Sequence, residues 1–211
     1  MTQKVIIFDF DGTIADTVDA LVTIANRLAL EFGYVPINPQ ELALLRNLTA
    51  REIIKYSGIS LFKIPFLVKK VKGELKHKIP ELKPIDGINA ALVALHNQGY
   101  HLGIITSNSQ ENVNEFLKGH NLDYLFDFIY SGVTIFGKTT IINNVLRQKQ
   151  FKPETVIYVG DETRDVDSAK KANIKVIAVS WGFNSSEALS KQNPDFLIHH
   201  PSELVGVIMG C

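Results

Sequence analysis

Residues 4–13 read Lys4-Val5-Ile6-Ile7-Phe8-Asp9-Phe10-Asp11-Gly12-Thr13. The apolar run before the first aspartate is rich in β-branched residues, which predicts a strand buried on both faces, as in a parallel sheet. Asp9 and Asp11 follow at a spacing that places both carboxylates on the same side of an extended chain. Buried carboxylates are costly unless a cation or hydrogen bonds offset their charge. A strand-end turn needs only one such acid, and open α/β sheets bind ligands at this edge, so we predict a functional site here.

The composition limits the class of protein. A chain of 211 residues suits one α/β domain with room for a small insertion. Lysine plus arginine equals aspartate plus glutamate, at 22 each, so no overall charge indicates a nucleic-acid or membrane partner. The only cysteine, Cys211, excludes an internal disulfide and fits a reducing compartment. No apolar run approaches the roughly 20 residues of a membrane span, and the early first strand leaves no room for a signal peptide. We therefore expect a cytoplasmic protein.

Residues 15–83 predict helices and no strand. Gly33 follows the first apolar stripe of helical period in the position of a carboxyl-terminal cap. Asn38 and Thr49 each stand where a helix amino-terminal cap is expected, and a further helix is predicted to begin at Pro65. We expect a small helical domain, 15–83, inserted after the first strand, and a core formed by 1–14 and 84–211.

The last helix of this insertion is strongly basic. It could attract an anionic substrate, or it could be a solvated helix face, and the second interpretation is the more common for a run of charges. We therefore expect a solvated face. The charged residues in this region are Lys63, Lys69, Lys70, Lys72, Lys76 and Lys78, against the single acid Glu74.

From Gly87 onward, predicted strands alternate with predicted helices. This alternation indicates a doubly wound parallel sheet, which places the chain in the α/β class. The predicted strands are His101 to Thr106, Phe128 to Tyr130, Thr155 to Val159, Lys175 to Val179 and Phe196 to His199.

Polar groups follow two of these later strands. Thr106 and Ser107 come immediately before a helix, where hydroxyls and free backbone N–H groups form an anion site; an ordinary helix cap is the alternative. Asp161 and Asp165 follow another buried strand, four residues apart, as the chain turns into a helix. Acidic strand ends thus recur at two places in the predicted sheet.

Lys138 opens a further helix, where its charge is unfavourable at the positive end of the helix dipole. This is a weak indication that it binds a ligand, since a surface lysine is the ordinary case. Gly132-x4-Gly137-Lys138-Thr139 also matches the phosphate loop of nucleotide hydrolases. We disfavour that match because the preceding strand is short and the acidic strand ends stay unexplained.

Taken together, these segments resemble the signature motifs of the haloacid dehalogenase superfamily. Within it, the chain resembles the phosphoglycolate-phosphatase-like subgroup, which has a small helical cap after the first motif. The matches, in order along the chain, are Asp9-Phe10-Asp11-Gly12-Thr13 for DxDGT, Thr106 for the second motif, Lys138 for the lysine motif, and Asp161 with Asp165 for GDxxxD. Glu162, where relatives often have Thr or Ser, and Asn173, where Gly is frequent, depart from the pattern.

The resemblance implies a Mg²⁺-dependent phosphatase of a small phosphorylated metabolite. By position, Asp9 is the nucleophile that forms an aspartyl-phosphate, and Asp11 protonates the leaving alcohol and then activates water. Mg²⁺ would be held by Asp9, Asp161 and the backbone carbonyl of Asp11, with Asp165 as a direct or water-mediated ligand. The residues implied for the transferring phosphoryl oxygens are Thr106, Ser107 and Lys138.

Two alternatives to the phosphatase remain at this point, a sugar-phosphate mutase and a binding module, while a dehalogenase is disfavoured. The dehalogenases lack an acid two residues after the nucleophile, so Asp11 indicates phosphoryl chemistry. The sugar-phosphate mutases of the superfamily carry a histidine in the first cap helix, within Asp-x-x-x-x-His, and no histidine follows Asp16 in this way. A binding or regulatory module with little turnover is also open, although such a module would not need Asp11.

Overall fold

The computed structural model describes residues 4–132 and 137–211, and within them a single parallel sheet organises the chain. Its strands are β1 (Val5–Phe8), β2 (His101–Ile105), β3 (Phe128–Tyr130), β4 (Val156–Gly160), β5 (Lys175–Val179) and β6 (Phe196–Ile198). Their order across the sheet is β3-β2-β1-β4-β5-β6, and every neighbouring pair is parallel. The predicted α/β sheet is confirmed. The residues between Gly132 and Gly137 of the alternative phosphate loop lie outside the described chain.

Ten α-helices lie between and after these strands in the described chain. Between β1 and β2 lie α1 (Val18–Phe32), α2 (Pro39–Leu45), α3 (Ala50–Ser57) and α4 (Ile64–Lys76). The later helices are α5 (Ile88–Asn97), α6 (Gln110–Gly119), α7 (Lys138–Lys149), α8 (Thr163–Lys171), α9 (Ser186–Lys191) and α10 (Glu203–Met209). None of the helices in the described parts of the chain has the length and apolar content that crossing a membrane requires.

Local signals begin and end the helices of the insertion. The side chains of Asn38 and Thr49 each accept a hydrogen bond from the backbone three residues on and complete a capping box. Gly33 ends α1 in the left-handed conformation, with φ of 80°. The last helix begins at Ile64, one residue before the predicted start, because Pro65 is accommodated in a first turn that does not need its N–H.

The core lies on both faces of the sheet. On one face, Ile6 and Phe8 share a cluster with buried side chains of α5, α6 and α10. On the other face, Val5 and Ile7 share a cluster with side chains of α7, α8 and α9. Successive residues of β1 point to opposite faces, so the unbroken apolar run serves both clusters. Helices therefore cover the sheet on both sides, as the doubly wound prediction requires.

The two segments that join the helical insertion to the sheet lie side by side. The backbone N–H of Asp16 donates to the carbonyl of Lys83 at 2.9 Å, and that of Ile85 donates to the carbonyl of Ile14 at 2.9 Å. The chain therefore leaves the sheet region and returns to it at one place, immediately after Thr13.

The register brings three strand ends to one edge of the sheet. Phe8 of β1 is paired with Ile104 of β2 and with Val159 of β4. Because the strands are parallel, their carboxyl ends meet at the same level. The polar residues that follow these ends are Asp9, Thr106 and Asp161.

Candidate active site

Three buried carboxylates converge at this edge. Asp9 follows β1, Asp161 follows β4, and Asp165 lies in the first turn of α8. Each offers an oxygen within 4.8 Å of those of the other two, and none of the three residues is more than 2% exposed. Three acids held together without solvent need an opposing charge. The structure thus brings together three of the four acids that the motif resemblance assigns to the site.

Lys138 supplies one such charge from the start of α7. Its Nζ atom donates to Oδ2 of Asp9 at 2.8 Å and to Oδ1 of Asp165 at 2.5 Å. The side chain is 1% exposed, so Lys138 is not an ordinary surface lysine. Burial alone would lower its pKa, but Asp165 and Asp9 outweigh that effect and raise the pKa well above the usual value. The lysine therefore stays charged.

Backbone and hydroxyl donors fix the carboxylates. Oδ1 of Asp161 accepts from the Thr13 hydroxyl at 2.7 Å, and its Oδ2 accepts from the Phe183 N–H at 2.7 Å. Asp165 accepts from the Glu162 N–H at 3.0 Å, and Oδ1 of Asp9 accepts from the N–H of the following residue at 2.8 Å. The cluster is thus held in place by the ends of the strands themselves.

Repulsion within the cluster remains strong. Burial raises the pKa of Asp161 well above its usual value, and the charges of Glu162, Asp9 and Asp165 raise it further. Burial also raises the pKa of Asp165 to about 6, although Lys138 acts in the opposite direction. A set of hard oxygen donors with excess negative charge is suited to a divalent cation. The donor set therefore fits a metal ion.

The carboxylate of Asp11 lies apart from the group of three. Its Oδ1 accepts a hydrogen bond from Nδ2 of Asn108 at 3.0 Å. Burial raises the pKa of Asp11 to about 7, with a further contribution from the charge of Asp9, while Asn108 has the opposite effect. A carboxyl group that titrates near neutrality is suited to proton transfer.

The residues after β2 occupy the same edge. Thr106 is fully buried, and its hydroxyl accepts from the Asn108 N–H at 3.0 Å. Ser107 lines a cavity that Asp11 and Asp161 also line. The structure therefore places Thr106 and Ser107 beside the acidic groups that the sequence pattern associated with them.

Sequence reasoning did not identify two polar residues of this region. Arg164 lies between the two acids of the last motif, and its Nη2 donates to Oε1 of Glu162 at 2.5 Å. Asn108 links Asp11 to the residues after β2. Both stand inside motif segments, so their position was the available signal, but only the fold shows what they contact.

The solvated-face interpretation of the basic helix is wrong for one residue. Lys72 is half-buried and lines the same cavity as Asp11 and Arg164, whereas Lys69 and Lys70 are exposed. The sequence pattern did not separate the two, because Lys70 and Lys72 both adjoin Val71 of the apolar stripe of α4.

Comparison with known proteins agrees with this geometry. Residues 6–179 match the haloacid dehalogenase-like hydrolase family. The phosphoglycolate phosphatase of Synechococcus elongatus is 36% identical over 206 residues, which are 98% of this chain and 97% of that protein.

Two solved structures share the fold over nearly the whole chain. A structure described as a "predicted phosphatase" from Clostridium acetobutylicum has a TM-score of 0.85 at 23% identity, over 100% of both chains. A haloacid dehalogenase-like family hydrolase from Streptococcus pneumoniae has a TM-score of 0.78 at 26% identity, over 97% of this chain and 98% of that one. The resemblance of the motifs is thereby confirmed, and the chain belongs to the haloacid dehalogenase-like hydrolase family.

Proposed function

We propose that this protein is a Mg²⁺-dependent phosphatase that hydrolyses a small phosphorylated metabolite of the phosphoglycolate type through an aspartyl-phosphate on Asp9. The observation that carries the proposal is the position of Asp9. Its carboxylate lies between a buried lysine and two further buried acids, while Asp11, with a pKa of about 7, stands two residues away. The similarity to a phosphoglycolate phosphatase over 98% of the chain supports the same substrate class.

The two aspartates divide the chemistry. A carboxylate oxygen of Asp9 attacks phosphorus, and the bond from phosphorus to the ester oxygen breaks. Asp11 gives its proton to the departing alkoxide, which leaves as the alcohol. Asp11 then takes a proton from water as that water attacks the aspartyl-phosphate, which releases inorganic phosphate and restores Asp9.

Positioning of the substrate and compensation of its negative charge must supply most of the rate enhancement. Hydrolysis of a phosphate monoester needs its barrier lowered by upwards of about 20 kcal/mol, whereas acid–base catalysis contributes roughly 3–5 kcal/mol. The remainder comes from positioning and from offsetting negative charge. We assign Thr106, Ser107 and Lys138 to the phosphoryl oxygens, because they border the nucleophile and supply hydroxyl, N–H and ammonium donors.

The acidic cluster supports Mg²⁺ as the cofactor. When bound, Mg²⁺ would offset the repulsion between the anionic nucleophile and the anionic phosphate. We assign it to Asp9, Asp161 and the backbone carbonyl of Asp11, with Asp165 as a direct or water-mediated ligand. The convergence of Asp9, Asp161 and Asp165 within 4.8 Å supports this set.

Residues 15–83 are best explained as a cap over a core formed by 1–14 and 84–211. The paired segments at 14–16 and 83–85 support this division, since they join the two parts at one place. The turn after α2 also contacts the core. Nδ2 of the buried Asn184 donates to the carbonyls of Arg46 and Leu48 at 2.9 and 3.0 Å. The cap would thus control access and substrate choice.

The alternatives find less support in the described residues. A sugar-phosphate mutase would need a histidine in the first helix of the insertion, and α1 contains none. A module that only binds its ligand would gain nothing from an acid whose pKa is held near neutrality at Asp11.

The test is hydrolysis of phosphoglycolate within a panel of phosphorylated metabolites, ranked by kcat/KM, with Mg²⁺ and with EDTA. We expect turnover that EDTA abolishes, and loss of activity in Asp161→Asn. The matched control is Asp167→Asn, an exposed acid on α8 that pairs with Lys171. Activity that survives EDTA would contradict the metal assignment, and no turnover of any phosphate ester would contradict the phosphatase itself.

A further inference from the structure

A cavity of about 360 Å³ lies between the inserted helices and the edge of the sheet that carries the acids. Half of its lining residues are aliphatic residues of α1, α3 and α4, and Asp11, Ser107 and Asp161 line it as well. Apolar walls exclude part of the water that would otherwise screen charges, so electrostatic contacts beside them are stronger than in bulk solvent. Any charged group in its wall therefore has a large effect on what the cavity binds.

Two cationic side chains line this cavity from different parts of the chain. Lys72 comes from α4, and its backbone carbonyl accepts a hydrogen bond from Nδ2 of Asn112 at 3.2 Å, which fixes this turn against α6. Arg164 comes from the first turn of α8, and its side chain is 18% exposed. Neither residue has a part in the chemistry assigned to the motif residues.

Both cationic side chains have hydrogen-bond donors without an acceptor in the described parts of the chain. Arg164 donates to Glu162 through Nη2, but its Nε is buried without a hydrogen-bond partner in the described parts of the chain. The ammonium group of Lys72 forms no hydrogen bond or ion pair within residues 4–132 and 137–211. A buried donor without a partner, such as Nε of Arg164, is rare in folded proteins and calls for an explanation.

The charges around Lys72 indicate what would satisfy these donors. Burial lowers the pKa of Lys72, the charge of Asp11 raises it, and the charge of Arg164 lowers it again. Lys72 is therefore within electrostatic reach of both the proton donor and the second cation. An anion that enters the cavity beside them would relieve the repulsion between the two cations. It would also accept hydrogen bonds from the donors that have no partner in the protein.

We propose that Lys72 and Arg164 form a second anion subsite, which binds the carboxylate of a short phosphorylated acid while its phosphate lies against Asp9 and Lys138. This proposal rests on the phosphatase function above and deepens it, because it makes the substrate class phosphate monoesters that carry a carboxylate on the alcohol part. Lys72 and Arg164 then select the substrate without taking part in the bond changes.

The test compares phosphoglycolate with ethyl phosphate, in which a methyl group replaces the carboxylate. We expect Lys72→Met to lower kcat/KM for phosphoglycolate ten- to hundredfold, mainly through KM, since one charge-assisted hydrogen bond is lost. The same variant should change kcat/KM for ethyl phosphate less than twofold. Lys72→Arg should keep most of the preference for the acid. The control is Lys70→Met, an exposed lysine of α4 paired with Glu31, which should alter neither ester.

Two results would overturn the subsite. An equal loss for both esters in Lys72→Met would show that this lysine contacts the phosphoryl group, and no loss for either would show that it contacts no substrate. If the wild type hydrolyses neither these two esters nor any other member of the panel, the phosphatase proposal fails separately, and the subsite is then decided by binding. In a melting-temperature titration with Mg²⁺, phosphoglycolate should stabilise the wild type more than Lys72→Met, and equal shifts would refute the subsite.

Discussion

Nζ of Lys138 lies 2.8 Å from Oδ2 of Asp9, and both side chains are almost completely buried. The same ammonium group bonds Asp165, so one lysine links the end of β1 to the first turn of α8. Removing one partner of a buried ion pair leaves an uncompensated charge, which is far more costly than the loss of an exposed pair. We therefore expect Lys138 to contribute to stability, in addition to the phosphate-binding role proposed for it.

We expect Lys138→Met to lower the free energy of unfolding by about 3–5 kcal/mol in the absence of metal. The control is Lys118→Met, an exposed lysine in the last turn of α6, which should change stability by less than about 0.5 kcal/mol. Urea unfolding of both variants in EDTA makes the comparison. If both variants lose a similarly small free energy of unfolding, the result would contradict a stabilising role for the buried ion pairs of Lys138.

Gly182 is packed directly against Asp161. A Cβ atom at this position would lie 2.2 Å from Oδ2 and 2.4 Å from Cβ of Asp161, too close for any real contact. Gly182→Ala should therefore displace the carboxylate and lower kcat tenfold or more, although residue 182 stands outside all four motifs. Steady-state kinetics with saturating Mg²⁺ measure this effect.

The matched control for that change is Gly206→Ala in α10, where a Cβ would meet no neighbouring atom. Because it replaces a helical glycine by alanine in open space, it should stabilise the protein by about 0.5–1 kcal/mol and leave kcat unchanged. Full activity in Gly182→Ala would show that the position of Asp161 is not critical.

Asn184 joins the turn after α2 to the start of α8. Its Oδ1 accepts from the Thr163 N–H at 2.9 Å, while its amide nitrogen bonds two carbonyls in the turn after α2. Leucine is similar in volume to asparagine, but Asn184→Leu leaves the Thr163 N–H and the two carbonyls without these hydrogen bonds. We expect this to cost about 1–3 kcal/mol of stability. We expect faster hydrogen exchange near the start of α3 and a higher KM for phosphoglycolate, with unchanged exchange in β1. Unchanged exchange in α3 would argue against docking through Asn184.

The loss of rate on replacing Asp11 should depend on the leaving group of the substrate. Asp11→Asn removes the proton donor, so we expect a loss of about 10²–10⁴-fold for an alkyl phosphate such as phosphoglycolate. The loss in the cleavage step should be much smaller for p-nitrophenyl phosphate, because p-nitrophenolate leaves without a proton. The initial burst of p-nitrophenolate isolates that step. Equal losses for the two esters would mean that Asp11 is not the general acid.

Much of the fold and of the acidic site could be predicted because it depends on local pattern. The apolar run before Asp9 and the one before Asp161 predicted two buried strands of a parallel sheet, and such a sheet brings the carboxyl ends of its strands to one edge. The caps Asn38 and Thr49 predicted helix starts to the residue, since a capping box is a contact between near neighbours in the chain. Strand ends differed by a residue, for example Ile105 instead of Thr106.

Contacts between distant segments could not be predicted in the same way. Gly182 touches Asp161 because the loop after β5 folds back over β4, and no periodicity describes a loop. Lys72 faces the cavity while Lys70 faces solvent, and this depends on how α4 is rotated against the core. That rotation is set by packing with α1 and α6, which the pattern of a single helix does not contain.

The most direct measurement is chemical trapping of the phosphoenzyme. Asp11→Asn, mixed with Mg²⁺ and phosphate-labelled p-nitrophenyl phosphate and quenched in acid, should retain label, because hydrolysis of the aspartyl-phosphate needs Asp11 as the base. Peptide mapping should place that label on Asp9, and Asp9→Asn should retain none. Label on another residue, or wild-type turnover without trapped label in Asp11→Asn, would contradict the assignment of Asp9 as the nucleophile.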